Sequence, residues 1–259
     1  MADVQNEYYI NKVRDIRRNM PRQKNDPITT VRRMMTGRTG SFSISAVLPD
    51  EVDKIIRNLK NSKSSGVDHL DTYVVKLTRT YIIPSVCHIL NLSIQSRKFP
   101  SKWKIAKIVP LFKGKGSKFD PKNYRPVAIL PILSKVLERA MFKQVLGHMD
   151  GNHMSAAFDV VDTELLLDKR KLYGFARDAL QWMWSYLTYR SQGVYIEGSM
   201  SRLPVEAGVP QVSILGSVFY TIFTIELPQV VHEEDCPIRR IAGGSIFSFQ
   251  GQECGGLCV

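Results

Sequence analysis

Apolar positions in the first half of the chain recur with the period of a helix. Those after Pro49 fall at i, i+3, i+4 and i+7, which predicts a helix with Asp50 as its N-cap. Further helices are predicted over residues 71–82, over residues 84–95 with the proline in the first turn, and over residues 134–146. The positions expected to face the core are Val52, Ile55, Ile56, Leu59, Val136, Leu137, Ala140, Met141 and Val145.

Strand patterns are fewer and shorter. The β-branched run over residues 105–112 predicts a strand, and residues 192–206 predict a hairpin around Gly198-Ser199. A strand is also predicted over residues 246–249. The remaining predicted helices lie over residues 8–20, 163–173, 178–189 and 213–226. This mixture predicts a helix-rich α+β fold with a reduced antiparallel sheet.

Two tryptophans lie within the helix predicted over residues 178–189. Leu180, Trp184 and Leu187 have helical spacing and are expected to form its buried face. Trp182 and Trp184 could serve as platforms for stacked bases, but large aromatic side chains in such a helix are more often core. We therefore expect both in the core.

Charge is the strongest functional signal in the composition. The chain of 259 residues carries a net charge of +12, with a pI near 9.6, which favours a polyanionic partner. Residues 97–125 hold ten Lys or Arg against one acid, Asp120, so this segment supplies nine of the twelve net charges. The expected partner of so concentrated a patch is the phosphate backbone of RNA or DNA. The lysines expected to contact it are Lys102, Lys104, Lys107, Lys113, Lys115, Lys118 and Lys122.

The centre of this basic segment reads as a flexible loop. Residues 113–118 have the sequence Lys-Gly-Lys-Gly-Ser-Lys. Glycines between lysines let a backbone come close to phosphate, although the same composition describes any exposed hairpin tip. We interpret the loop as a phosphate contact because the charge is concentrated around it.

Other classes of protein fit the sequence less well. No apolar run reaches the roughly 18 residues needed to cross a bilayer, and the polar start of the chain does not resemble a signal peptide. We therefore expect an intracellular chain without a membrane partner, in which four cysteines do not indicate disulfides. Cys236, Cys254 and Cys258 lack a Cys-x2-Cys pair and predict no zinc site.

Three ordered motifs give the chain a family resemblance. They are Asn123-Tyr-Arg-Pro126, Ser155-Ala-Ala-Phe-Asp-Val-Val-Asp162 and Gly208-Val-Pro-Gln-Val-Ser-Ile-Leu-Gly216. In this order and spacing they resemble the reverse transcriptase of non-LTR (LINE-type) retrotransposons, from about Leu48 onward. The resemblance implies polymerase fingers and a partial palm. The implied regions are an N-terminal arm or linker over residues 1–47, a fingers-like region over residues 48–150 and a partial palm over residues 151–259.

The resemblance also implies roles for single residues. Arg125 would lie near the incoming nucleotide or template, a role that suits its permanent charge and its fork of donors. Phe158 matches the aromatic that screens the sugar 2′ position, and Gln211 belongs to a block close to template or nucleotide. Active relatives would use RNA and DNA as partners and Mg²⁺ as cofactor.

Against this resemblance, the chain lacks the acids that polymerisation requires. The family places its first metal-binding aspartate five residues before the aromatic, where this chain has His153, and a neutral imidazole is a poor Mg²⁺ ligand. The other acids should come from a Tyr-x-Asp-Asp turn, yet the sequence contains no Asp-Asp pair. Either residues 241–244, Ile-Ala-Gly-Gly, are the degraded turn, or the chain ends before it. We therefore predict no intact catalytic residue and no bound metal.

Two further departures affect the fold. Only 33 positions separate Arg125 from Phe158, far fewer than the family has, which predicts an internal deletion within residues 150–154. Asp159, next to the aromatic, is not a metal ligand in the family. Val212 replaces the second glycine of the family's Gly-Val-Pro-Gln-Gly-Ser block, and a β-branched side chain fills space that the glycine leaves open.

Four hypotheses stay open on the sequence alone. The first is an inactive, reverse transcriptase-like fragment of a retrotransposon. The second is a residual RNA- or DNA-binding protein that uses the segment from Arg97 to Arg125. In the third, a missing segment or a partner chain completes the metal site. The fourth is a decayed reading frame without a stable fold or a function.

Overall fold

Helices provide more regular structure than strands in this computed structural model, which describes residues 1–18, 41–148, 174–205, 213–216, 219, 238–241 and 244–247. The described α-helices are α1 (Ala2–Arg18), α2 (Pro49–Arg57), α3 (Thr72–Leu77), α4 (Arg79–Ser96), α5 (Ile132–His148) and α6 (Arg177–Leu187). The described strands are β1 (Ile105–Phe112), β2 (Tyr124–Ile129), β3 (Arg190–Ile196), β4 (Ser199–Val205), β5 (Ile238–Ile241) and β6 (Gly244–Phe247). The predicted α+β class is confirmed.

The main sheet joins strands that are far apart in the sequence, in the order β2-β1-β3-β4. Its outer pairs are antiparallel, but β1 and β3 run parallel, with Ile108 opposite Val194. The sheet is therefore mixed, which corrects the expectation of an antiparallel sheet. Parallel strands need a long connection, and among the described residues the chain passes through β2, α5 and α6 between β1 and β3. The regions predicted on either side of residue 150 thus share one sheet.

The β3–β4 connection is a two-residue turn. Its central residues, Glu197 and Gly198, have φ values of 48° and 82°, the left-handed conformations that match the twist of a hairpin. The predicted hairpin is confirmed, with its turn one residue earlier than expected.

The larger core lies among α2, α4, α5 and α6. All nine positions predicted to face the core are buried; they belong to α2 and α5, except Leu59, which lies two residues after α2. On α6, Trp182 stacks on Tyr186 with ring centroids 5.9 Å apart, and both rings meet Phe99 in T-shaped contacts. Trp182 Nε1 donates to Ser93 Oγ at 3.0 Å, so the indole is buried with its donor satisfied.

Helix α1 covers one face of the main sheet. Its residues Ala2 and Tyr9 pack with apolar side chains of β1, β2 and β3. Asn6 is fully buried there: its Nδ2 donates to Ser201 O at 2.8 Å, and its Oδ1 accepts from Gln192 Nε2 at 2.8 Å. The predicted N-terminal arm therefore begins with a helix that is part of the fold.

Two predicted helix starts are wrong. Asp50 is not the N-cap of α2, because Leu48 occupies that position and Pro49 fills the first turn without a side-chain cap. Asp71 does cap α3, with its Oδ1 accepting from Val74 N–H at 2.8 Å. However, α4 begins at Arg79, and its proline lies inside the helix, where it removes one intrahelical hydrogen bond.

The buried face of α6 differs in part from the prediction. Leu187 and Trp182 are buried as predicted, and so are Ala179 and Met183, but Trp184 is 44% exposed. Both sets of positions have helical spacing, so contacts with Ser93 and other distant residues decide between them. The predicted helix over residues 163–173 and the three C-terminal cysteines lie outside the described residues.

Candidate nucleic-acid interface

The basic loop predicted from the sequence joins β1 to β2 and spans residues 113–123. Its ends are held together, because Lys113 N–H donates to Asn123 O at 2.8 Å. The side chain of Asn123 then donates from Nδ2 to Ser117 O at 2.9 Å, which ties the middle of the loop to its base. The loop is therefore organised by its own hydrogen bonds.

Two glycines give this basic loop its path. Gly116 has φ +83°, and a Cβ at this position would lie 2.5 Å from Asn123 Nδ2, so a side chain would break the bond that organises the loop. Gly114 has φ +81°, but a Cβ there would meet nothing within 4 Å. At Gly116, glycine is thus required by a close contact inside the loop. At Gly114, the space around the backbone would allow a ligand to approach it.

Most of the lysines expected to contact phosphate are exposed. Lys122 Nζ pairs with Asp120 Oδ2 at 2.8 Å, and this hydrogen bond lowers the pKa of Asp120 and raises the pKa of Lys122. Neither Lys115 nor Lys118 forms an ion pair with a described residue. The exposed members of the predicted set are Lys102, Lys113, Lys115, Lys118 and Lys122.

The other two lysines of the set lie elsewhere. Lys104 is buried, and its Nζ donates to Thr188 O at 3.2 Å; burial, with a contribution from the charge of Arg190, lowers its pKa. This burial excludes Lys104 from the exposed surface. Lys107 Nζ lies 4.6 Å from the centre of the Tyr195 ring, a cation–π geometry. Its side chain therefore packs on the sheet and is not part of the basic loop.

The face of the main sheet opposite α1 is open. Because Ile108, Ala128 and Val194 pack with α1, the pleat directs the alternate side chains of these strands away from it. None of the four strands contains Asp or Glu. We call this surface the open face, and its residues are Lys107, Val109, Leu111, Arg125, Val127, Tyr195, Met200 and Arg202. It is both apolar and cationic, and it includes the predicted nucleotide-binding or template-binding arginine.

Sequence reasoning missed two aromatic residues of this surface. Phe119 is 85% exposed within the basic loop, and Tyr195 is 38% exposed on the open face. The signal for Phe119 in the sequence was a large aromatic side chain among lysines, glycines and a serine. Tyr195 could not be assigned from the sequence, since its face depends on the pairing of β3 with β1.

The residues expected at the catalytic centre, His153, Phe158 and Gln211, lie outside the described residues, as does Asp159. Among the residues that the structure describes, no three or more His, Cys, Asp or Glu side chains come together in a way that could hold a metal ion. None of the described helices combines the length and apolar character needed to span a membrane.

Comparison with known proteins agrees with the motifs. The chain is 27% identical to the RNA-directed DNA polymerase from mobile element jockey of Drosophila melanogaster, over 78% of this chain and 27% of that protein. It is 26% identical to the jockey polymerase of Drosophila funebris, over 69% of this chain and 24% of the relative. No protein-family model matches the chain. The chain spans about a quarter of the length of these relatives.

In the alignment with the Drosophila melanogaster jockey polymerase, this chain is shorter than the part of the relative that it matches. It extends over 249 positions but uses 78% of this chain, about 202 of its 259 residues, so about 47 positions face gaps in this chain. A shorter match, to the retrovirus-related Pol polyprotein of a type-1 retrotransposable element from Bradysia coprophila, is 35% identical over 97 residues, covering 37% of this chain and 10% of that protein. The homologues of this chain are thus RNA-directed DNA polymerases of non-LTR retrotransposons, as the motifs indicated.

Proposed function

We propose that this chain is a reverse transcriptase-like fragment that binds single-stranded RNA or DNA without extending it. One observation carries the proposal: the exposed basic loop, residues 113–123, continues directly into strands whose open face is apolar and free of acids. Lysines gain affinity for phosphates by releasing condensed counterions, and exposed aromatic rings stack on bases. A single strand presents both groups at once, whereas a duplex hides its base faces.

The proposed lack of polymerisation is supported by the sequence. Nucleotidyl transfer by two metal ions needs carboxylates to hold them, and Mg²⁺ accepts few substitutes. His153 stands where the resemblance expects the first aspartate, and the chain contains no Asp-Asp pair for the second site. Since the chain spans about a quarter of its relatives, their polymerase activity is not carried over to it.

The internal deletion is supported by the alignment as well as by the motif spacing. About 47 positions of the jockey polymerase have no counterpart here. The short distance from Arg125 to Phe158 favours a position between these two motifs for a large part of the loss. We infer that the loss removed the segment that carries the first catalytic aspartate, while the residues of the basic loop were kept.

Replacing the exposed aromatic of the loop tests this proposal. We expect Phe119→Ala to weaken binding of a single-stranded RNA of about 20 nucleotides by about 5- to 150-fold, since one stacked base contributes about 1–3 kcal/mol. Affinity for a duplex of equal length should change less than about two-fold, because its bases are already stacked. Fluorescence anisotropy of labelled RNA measures both.

The matched control is Tyr81→Ala, which removes a side chain that is 86% exposed on α4, a helix that contributes no residue to the loop or the open face. It should bind both RNAs as the unaltered chain does. Tyr195→Ala should resemble Phe119→Ala, with a smaller loss because its ring is less exposed. Unchanged single-strand affinity in both Phe119→Ala and Tyr195→Ala would refute base stacking on this surface.

A further inference from the structure

Two polar side chains lie on the face of α1 that packs against the main sheet. This face is formed by four buried residues at helical spacing, Ala2, Gln5, Asn6 and Tyr9. Asn6 bonds to β3 and β4, as described above. Gln5 has other partners, because its Nε2 donates to Tyr9 Oη at 2.7 Å and to Pro121 O at 3.1 Å. A buried amide is costly unless it is hydrogen-bonded, so these partners indicate what Gln5 does.

The bond to Pro121 joins α1 directly to the basic loop. Gln5 and Pro121 are 116 positions apart in the chain. A second anchor lies earlier in the loop, where Tyr124 Oη donates to Lys118 O at 2.9 Å from the start of β2. The ring of Tyr124 packs on Phe112, with ring centroids 5.3 Å apart. The loop is therefore held from α1 at Pro121 and from β2 at Lys118.

The two anchors enclose Phe119, the exposed aromatic residue of the loop. Lys118 comes directly before it, and Pro121 follows it by two positions. Phe119 N–H donates to Ser117 Oγ at 3.2 Å, and Asp120 N–H donates to Ser117 O at 3.3 Å. The backbone of Phe119 is thus fixed on both sides, while its side chain stays 85% exposed. Such a ring is ready for a ligand, because the entropy of ordering its backbone is lost on folding and not on binding.

We propose that Gln5 is a positioning residue, which holds the basic loop through Pro121 so that Phe119 is preorganised to stack on a base of a bound single strand. This inference rests on the proposed binding function. Gln5 is buried and does not itself contact nucleic acid. Tyr124 acts in the same way from the other side of Phe119. Both residues contribute to affinity through the backbone of the loop.

Tryptic cleavage tests the anchor without nucleic acid, because trypsin cuts after Lys118, at a bond that lies between the two anchors. Gln5→Met keeps the length of the side chain but removes its donor. It should speed this cleavage by about 3- to 10-fold, since cleavage follows the population of the open loop and one hydrogen bond is lost. Tyr124→Phe removes only a hydroxyl and should have a similar effect. Cleavage after Lys60, an exposed site outside the loop, should not change in either variant and reports any global loss of stability.

The matched control for this cleavage is Gln192→Leu. It removes the bond to Asn6 Oδ1, so α1 loses a buried contact with the sheet but keeps its bond to Pro121. Cleavage after Lys118 should stay within about two-fold of the rate in the unaltered chain. An equal increase in Gln192→Leu and Gln5→Met would show that α1 acts only through its overall packing, and would overturn the role of Gln5.

A double-mutant cycle connects Gln5 to the stacked ring. In the unaltered chain, Gln5→Met should weaken single-stranded RNA binding by about 3- to 10-fold, and in the Phe119→Ala background by less than about two-fold, since no ring remains to be positioned. The slope of log affinity against log salt should stay within about 0.5 of its unaltered value, because the phosphate contacts remain. An equal loss in both backgrounds, a lower slope, or unchanged cleavage after Lys118 in Gln5→Met would overturn the inference.

The two levels fail separately. If the unaltered chain does not bind single-stranded RNA, the proposed function is wrong and the role of Gln5 in binding falls with it, even where Gln5→Met speeds cleavage. If RNA binds but the cleavage and coupling results are negative, the binding function stands and the role of Gln5 falls alone.

Discussion

Replacing Lys113, Lys115 and Lys118 together with glutamine should lower single-stranded RNA affinity about 100-fold at 0.1 M salt. Each phosphate contact with a single strand contributes about 0.7 to the slope of log affinity against log salt, so three lost contacts reduce the slope by about 2. Lys122 is left in place because Asp120 already pairs with it. Binding isotherms at salt concentrations between about 0.05 and 0.3 M give the slope, because phosphate contacts make the affinity fall strongly over this range.

The matched control removes the same number of positive charges from another part of the chain. Lys54, Lys60 and Lys63 are also exposed, on α2 and in the segment after it. Replacing these three with glutamine lowers the net charge equally but should leave the slope within about 0.5 of the unaltered value, since no phosphate contact is lost. Equal losses in the two triple variants would show that net charge, rather than the basic loop, attracts the nucleic acid.

Trp182→Ala should destabilise the fold by about 3–5 kcal/mol, a large share of the roughly 5–15 kcal/mol that stabilises a typical domain. The indole is 1% exposed, stacks on Tyr186, meets Phe99 in a T-shaped contact and donates to Ser93. Its removal leaves a cavity between α4 and α6 and an unfilled acceptor. Urea unfolding followed by circular dichroism gives the difference in free energy.

The neighbouring Trp184 supplies the control. It is 44% exposed and meets Tyr189 in a T-shaped contact at the surface, so Trp184→Ala should cost less than about 1 kcal/mol. If the two variants were equally stable, the core described around α6 would be wrong. If the unaltered chain showed no cooperative unfolding, the hypothesis of a decayed reading frame without a stable fold would be correct.

The helix faces of α2 and α5 could be predicted because their apolar period permits only one buried side. The period of α6 permits two, and contacts with Ser93 and Phe99 select the face that contains Trp182. The parallel pairing of β1 with β3 could not be predicted, since it depends on packing between segments some 80 residues apart. The sheet that results places Tyr195 beside Lys107.

The sequence predicted the part of the candidate interface that depends on charge alone. Five of the seven lysines expected to contact phosphate are exposed. Lys104 looks identical to them in sequence, but Thr188 O lies within reach of its ammonium group and the side chain is buried. Glu138 on α5 is fully buried, and its Oε2 accepts from Ile214 N–H at 2.8 Å; the sequence could not distinguish it from a surface acid, because the two residues are 76 positions apart in the chain.

Nucleic-acid binding and polymerisation can be measured together in one reaction. It contains an RNA template with an annealed DNA primer, deoxynucleotides and Mg²⁺; anisotropy follows binding, and a gel gives the length of the primer. We expect the primer–template to be bound and no product longer than the primer, with the same result for Asp159→Ala. Reproducible extension by the unaltered chain would contradict the account, and its loss in Asp159→Ala would identify Asp159 as a catalytic acid.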